Sequence, residues 1–285
     1  MVKRQPLRAW ASAFLATFLC AVNCSGAAET PMRLTLENAA SFWSFQPVKS
    51  VPAPAVKDTA WPVSAVDRFV LAKLEEQRLR PVAVAEPRVL MRRLHLDLLG
   101  LPPKPEEVEA FVADWPTGND RASLQTRNAK LEALTDRLLA SPHFGERWGR
   151  HWLDLARFAE SNGKDRNMTW HHAWRYRDWV IGAFNRDLPY DQFIREQIAG
   201  DLLPGAGPER DARLVATGFL ALGPKAFEER KRELFRMDMI DEQIEVIGRA
   251  FLGLSLACAR CHDHKFDPVP TRDYYALAGI LRSTV

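Results

Sequence analysis

Cys258, Cys261 and His262 are the residues of this chain whose types and spacing point most directly to chemistry. They lie in the run Cys258-Ala259-Arg260-Cys261-His262. On a helical turn, positions i, i+3 and i+4 share one face, so two thiols and an imidazole would be presented together. This C-x-x-C-H pattern is the covalent attachment signature of a c-type haem: the thiols reach the two vinyl groups and the imidazole meets the iron. Four cysteines and seven histidines in 285 residues give a chance expectation for the pattern on the order of 0.001. Haem c is therefore the expected cofactor and His262 the expected metal ligand.

The neighbours extend this reading. Arg260 is a candidate partner for a haem propionate, and His264 and Asp267 are candidates for the hydrogen bonds that tune such a centre. The plainer reading is a turn at Asp267-Pro268 with His264 on the surface. The sixth iron ligand is left open among Met168, His171, His172, His143 and His151, since no methionine follows Met239. His264 is too near His262 in sequence to reach the opposite haem face. A zinc site made of Cys258, Cys261, His262 and His264 would crowd four ligands into one short run, whereas zinc sites usually draw their second pair from a separate knuckle.

A second cluster comprises Arg147, Arg150, His151, Trp152, Asp154 and Arg157, followed by Asn162, Asp165 and Arg166, then Arg175, Tyr176, Arg177 and Asp178. His151 and Asp154 are helical neighbours at i, i+3 and, with Asp178, are the weaker candidates for acid–base work. Ion pairs between Arg150 and Asp154 and between Arg175 and Asp178 are the structural alternative. No nucleophile elbow, phosphate loop or dinucleotide fingerprint accompanies them.

Covalent haem is attached outside the cytoplasm, and the N-terminus fits that compartment. Lys3, Arg4 and Arg8 precede an apolar run from Ala9 to Val22, and Gly26-Ala27-Ala28 offers a cleavage site. Residues 1–28 read as a signal peptide, too short in its apolar part for the roughly 20 residues of a membrane span. The expected location is secreted or periplasmic, with no integral span after signal removal. Cys20 and Cys24 leave with the signal, so Cys258 and Cys261 become the only thiols of the mature chain. In an oxidising compartment such a pair forms a disulfide or is taken by a ligand, and the adjacent histidine favours the ligand.

A composition that is 47% hydrophobic and 26% charged is that of a globular chain, not a disordered one. The net charge of +3 comes from interleaved acids and bases, which argues against nucleic acid or an anionic membrane as partner. Five tryptophans between Trp148 and Trp179 could line a flat cofactor or a sugar, but fit a core better.

These residues need a scaffold, and the periodicity is helical throughout. Residues 29–64 read as an extended strap, with Pro47, Pro52, Pro54 and Pro62 forbidding a helix and Trp43, Phe45 and Trp61 pinning it to the body. From 65 to 285 the pattern predicts an irregular, all-α, multi-helix domain. A first helix has the stripe Val66, Phe69, Val70, Leu74; others are expected at 88–99, 105–115 and 173–185, with a surface loop at 116–128 and a helix after it to 140. In 143–159 the expected apolar face is Phe144, Trp148, Trp152, Leu155 and Ala159. The mixed-charge run 225–236 reads as a solvated helix face, and a helix over 240–256 is expected to deliver the C-x-x-C-H turn.

Several longer stretches carry a family resemblance: Phe42-Trp43-Ser44-Phe45-Gln46-Pro47-Val48, Leu98-Leu99-Gly100-Leu101-Pro102-Pro103, Ser141-Pro142-His143-Phe144-Gly145-Glu146-Arg147-Trp148, His151-Trp152-Leu153-Asp154, Arg175-Tyr176-Arg177-Asp178, Ala199-Gly200-Asp201-Leu202-Leu203-Pro204 and Cys258 through Pro268. In this order they resemble the cytochrome-like secreted proteins of planctomycetes, a domain of unknown function. The resemblance implies a secreted protein with a c-type haem, usually followed by a second large domain, so this chain is expected to be part of a longer protein. The expected function is electron transfer serving an extracytoplasmic oxidoreductase, with a redox protein or the C-terminal partner domain as partner. The alternative is a haem-free secreted module that binds or degrades glycans, with a Cys258–Cys261 disulfide and a carboxylate pair in the tryptophan-rich cluster.

Overall fold

Each of the early helices begins where the sequence supplies a start signal. In α1 (Ala65–Glu76) Ser64 and Asp67 form a reciprocal capping box, Asp67 N–H donating to Ser64 Oγ and Ser64 N–H to Asp67 Oδ2. Proline opens α2 (Pro87–Leu98), α3 (Pro105–Ala113) and α5 (Pro142–Leu155), where its missing N–H has no helical partner to lose. Asp120 caps α4 (Arg121–Leu139) by accepting the Ser123 N–H at 3.0 Å. The chain continues through α6 (Ala173–Asn185), α7 (Tyr190–Ala199), α8 (Gly207–Ala216), α9 (Arg232–Ile247) and α10 (Thr271–Ser283). This computed structural model describes residues 37–118, 120–166 and 168–283; the expected signal peptide, 1–28, and the first part of the strap lie outside them. Among the described residues the extended pairing amounts to one isolated bridge, Ser161 with Thr169, so the class is all-α with irregular helical packing.

Three apolar clusters hold the helices. The largest joins α5, α6, α7 and the turn after α8 around Trp152, whose ring meets Phe193 edge-on at 4.8 Å and lies 5.9 Å from Phe219. Trp152 Nε1 donates to Tyr176 Oη at 3.0 Å and to Gln197 Oε1 at 2.8 Å, so the indole is buried without an orphaned donor. A second cluster, with Met91, Val108, Leu134 and Leu138, joins α2, α3 and α4. The third, with Ile240, Ile244, Leu256, Ala259, Val269, Tyr274 and Ala278, fixes α9 and α10 about the segment between them.

The phase of several apolar faces differs from the sequence expectation. In α1 the buried residue is Leu71, while Val66, Phe69 and Val70 are exposed. In α5 the buried face is Gly145, Gly149, Trp152 and Leu153, because the two glycines let α6 come close: a Cβ at Gly145 would fall on the Ile181 carbonyl oxygen. Residues 121–128 are helical, since Asp120 starts α4 earlier than the polar run suggested. The strap is pinned by a carboxylate more than by its aromatics. Glu75 accepts the N–H groups of Lys57 and Asp58 at 2.9 to 3.0 Å, whereas Trp43 is 79% exposed.

The helix before the C-x-x-C-H run also stops sooner than its apolar pattern implies. α9 ends at Ile247, a π-helical turn covers Gly248–Leu252, and Gly253 at φ +66° ends it in a left-handed conformation suited to glycine. The motif then rides on a separate 3₁₀ turn, Ala257–Arg260.

Candidate functional site

In the 257–262 turn the two spacer residues serve the fold and the other three face outward. Ala259 is fully buried in the cluster between α9 and α10. The Arg260 Nη1 pairs with Asp238 at 3.3 Å and Asp241 at 3.2 Å, both on α9. Cys258 and Cys261 are exposed free thiols, and His262 is exposed beside them. The His262 Nδ1 lies 2.8 Å from the Asp263 carbonyl oxygen. That acceptor puts the ring proton on Nδ1, which leaves the Nε2 lone pair for a metal.

The turn is held from beneath and from both sides. The Glu245 Oε2 accepts the N–H groups of Leu256 at 3.0 Å and Ala257 at 2.8 Å. Tyr275 on α10 donates its hydroxyl to the Arg260 carbonyl at 3.1 Å, and Tyr274 donates to Asp241 at 2.6 Å. Burial, and then the Asp241 hydrogen bond, push the Tyr274 phenol well above its ordinary pKa, so it stays a donor. Asp263 Oδ1 accepts the Thr271 N–H at 2.8 Å at the start of α10.

His264 and Asp267 have defined structural work. The His264 Nδ1 accepts the N–H groups of Phe266 at 3.2 Å and Asp267 at 2.7 Å, so this nitrogen carries no proton. Its 3.7 Å approach to Asp267 Oδ2 is therefore a neighbour contact within the loop and not an ion pair. Asp267 Oδ2 accepts the Ser255 N–H at 3.2 Å, tying the 264–268 loop to the strand of chain that precedes the motif. Arg260, His264 and Asp267 thus set the shape of the turn. Among the described residues no group of three or more His, Cys, Asp and Glu side chains is arranged to hold a metal ion, and with its Nδ1 turned into the loop His264 adds no geometric support for the four-ligand zinc reading.

The other candidates lie apart from this turn in the sequence and in separate pairings. His151 is exposed against the edge of Trp148 at 5.4 Å. Asp154 pairs with Arg150 at 2.9 Å, and Asp178 with Arg177 at 3.0 Å; Arg177 also holds Glu160, so it replaces Arg175 as the Asp178 partner. A cleft of about 220 Å³ is lined by Arg150, Asp154 and Arg177. Of the sixth-ligand pool, Met168, His171 and His172 are exposed and His143 pairs with Glu146 at 2.8 Å.

Sequence reasoning missed a carboxylate face on α9. Asp238, Asp241, Glu242 and Glu245 fall at i, i+3, i+4 and i+7, the spacing that an apolar stripe would have used, and that spacing was the available signal. Glu242 is ion-paired to Arg157, which occupies φ +54° just past α5, and Glu245 is ion-paired to Arg249. Burial raises the Glu242 carboxyl pKa and lowers that of the Arg157 guanidinium.

Together these features define an all-α protein that presents two thiols and an imidazole on a braced, exposed turn. A family model described as PSCyt2, a protein of unknown function (DUF1549), matches residues 65–285, and the chain belongs to that family. No curated protein and no solved structure matches it.

Proposed function

We propose that the turn is the covalent attachment site of a c-type haem, and that the protein is an exported electron carrier serving an oxidoreductase outside the cytoplasm. The observation that carries the reading is the outward trio: Cys258 and Cys261 are unpaired and exposed, and the Asp263 carbonyl holds His262 in the tautomer that frees Nε2. The donor set is chemically suited to the group. Each thiol can add across a vinyl C=C, its sulfur bonding one carbon and its hydrogen going to the other, with no oxidant needed. Bound there, the haem would supply a one-electron iron couple. The chain's own part is positional. Glu245 and Tyr275 fix the backbone of the turn and Asp241 holds the Arg260 side chain; Cys258 and Cys261 would anchor the group, and His262 would ligate its iron. Exposed Phe266 and Tyr275 offer apolar surface on the loop and helix beside the motif. No helix among the described residues is long and apolar enough to cross a membrane.

The test is production of the chain with haem-attachment machinery, followed by denaturation and extraction. The wild type is expected to keep haem absorption with the polypeptide, and the double variant Cys258→Ala, Cys261→Ala to lose it while keeping its helical circular dichroism. Haem retained equally by the double variant, or a colourless wild type, would overturn the proposal.

A further inference from the structure

The cavity of about 340 Å³ beside α9, lined by Arg157, Lys225, Phe235, Met239 and Glu242 and reaching Ala257 at the edge of the motif, is not used by the attachment chemistry. Lys225 is only 7% exposed, and among the described residues its ammonium makes no hydrogen bond or ion pair. A buried lysine that makes no direct ion pair, and whose one facing carboxylate, Glu242, is already paired with Arg157, is costly unless more negative charge meets it. Its position is not accidental to a loose loop. The Lys225 N–H donates to the Asn162 carbonyl at 3.0 Å, the fully buried Asn162 side chain donates to the Lys225 carbonyl at 3.1 Å, and Asp165 accepts the N–H groups of Phe227 and Glu228.

The charges around it leave room for one more anion. Asp238 and Asp241 are taken by Arg260, and Glu245 by Arg249 and two backbone N–H groups. What remains facing Lys225 is one carboxylate, Glu242, shared with Arg157, so two inner cations face a single anion. The Nε and Nη2 of Arg157 are buried without a hydrogen-bond partner, as are both carboxylate oxygens of its ion-pair partner Glu242 and Oε1 of Glu245; Nε and Nη2 form the edge with which an arginine grips a carboxylate. Lys164 on the rim adds a third positive charge, and Pro224, Ala226, Phe235 and Met239 give the cavity an apolar wall. We propose that this cavity is a binding site for a small organic carboxylate, whose charge is met by Lys225 and Arg157 and whose apolar body lies against Phe235 and Met239. Burial lowers the pKa of the Lys225 amine, and the neighbouring Arg157 charge adds to that, against the attraction of Glu242.

The probes are benzoate and the isosteric but neutral benzamide, titrated calorimetrically into the haem-free double variant Cys258→Ala, Cys261→Ala, so that attachment at the turn plays no part. Benzoate is expected to bind one per chain, benzamide at least tenfold more weakly, and Lys225→Met to weaken benzoate at least tenfold while Lys225→Arg retains it. Should Lys225→Met fail to fold, Ala226→Leu, which narrows the cavity without removing a charge, is expected to give the same loss. No benzoate binding in the millimolar range, equal binding of benzamide, or undiminished binding by the folded Lys225→Met or Ala226→Leu chain would overturn the proposal. Two sources of the carboxylate are then separated with haem-loaded wild type. Retained benzoate binding identifies a free acid, and loss of it only on loading identifies a propionate of the attached group.

Discussion

Glu245 shows how one side chain governs the geometry of the candidate site. Its Oε2 takes two N–H groups at the entry to the motif, so Glu245→Ala leaves both without an acceptor, at a cost of about 1–3 kcal/mol for a buried unsatisfied donor. The expected result is a lower denaturant midpoint and faster hydrogen exchange across 254–261, with Glu245→Gln, which keeps an acceptor oxygen, close to wild type. Lys225 should behave in the opposite sense. Its amine has a pKa depressed by burial, so its contribution to stability is present above the unfolded value near 10.5 and is lost as pH falls through the folded value. At pH 7 burying this amine is therefore a liability to the fold, and Lys225→Met is expected to raise the melting temperature at pH 7, with a gain that shrinks toward pH 10.5. A melting temperature that falls at pH 7 would contradict this. At this scale the spacing of Cys258, Cys261 and His262 singles them out in the sequence, and what the structure adds is that all three are exposed. It was not legible for Ala259 and Arg260, because only the fold decides that one enters a core and the other pairs with α9. Nor could it show that Lys225, inside a run of mixed charge, is buried: that follows from the long-range bonds to Asn162.

Among the elements, the α5–α6 contact is the most demanding. A Cβ at Gly145 would collide with the Ile181 carbonyl and the Asn185 side chain, which itself accepts the Gly145 N–H at 2.8 Å. Gly145→Ala is expected to destabilise by about 1–3 kcal/mol or more through overpacking. Gly149→Ala meets its nearest neighbour, Ile181 Cγ1, at an ordinary 3.4 Å, and the gain in helix propensity of about 0.8–1 kcal/mol makes it neutral or stabilising. Equal losses in chemical denaturation would contradict the distinction. Proline and capping signals placed most helix starts in the sequence, while the phases of α1 and α5 were obscured for a shared reason. Large exposed apolar side chains, Phe69 and Trp148 among them, imitate a buried stripe, and glycines that bury by close approach carry no hydrophobic signal. The end of α9 was hidden likewise, since the apolar pattern runs on past the left-handed Gly253.

For the molecule as a whole, the body is built from three apolar clusters formed after residue 65, and the strap is held by hydrogen bonds from Lys57 and Asp58 to Glu75. Glu75→Ala is expected to speed proteolysis within 46–60 and to leave the body's denaturant midpoint within about 0.5 kcal/mol, the range of surface substitutions; a large loss of global stability would show that the strap is integral to the core. The all-α class was legible because no alternating pattern competes with the helical period. The arrangement that brings α9 and α10 about the motif was not, since those contacts are long-range. The central claim, a porphyrin bonded to this braced turn after export, is met most directly by mass spectrometry of the peptide containing residues 258–262 from chain produced with attachment machinery. The predicted spectrum shows haem joined to Cys258 and Cys261; unmodified thiols or a Cys258–Cys261 disulfide in the matured protein would contradict it.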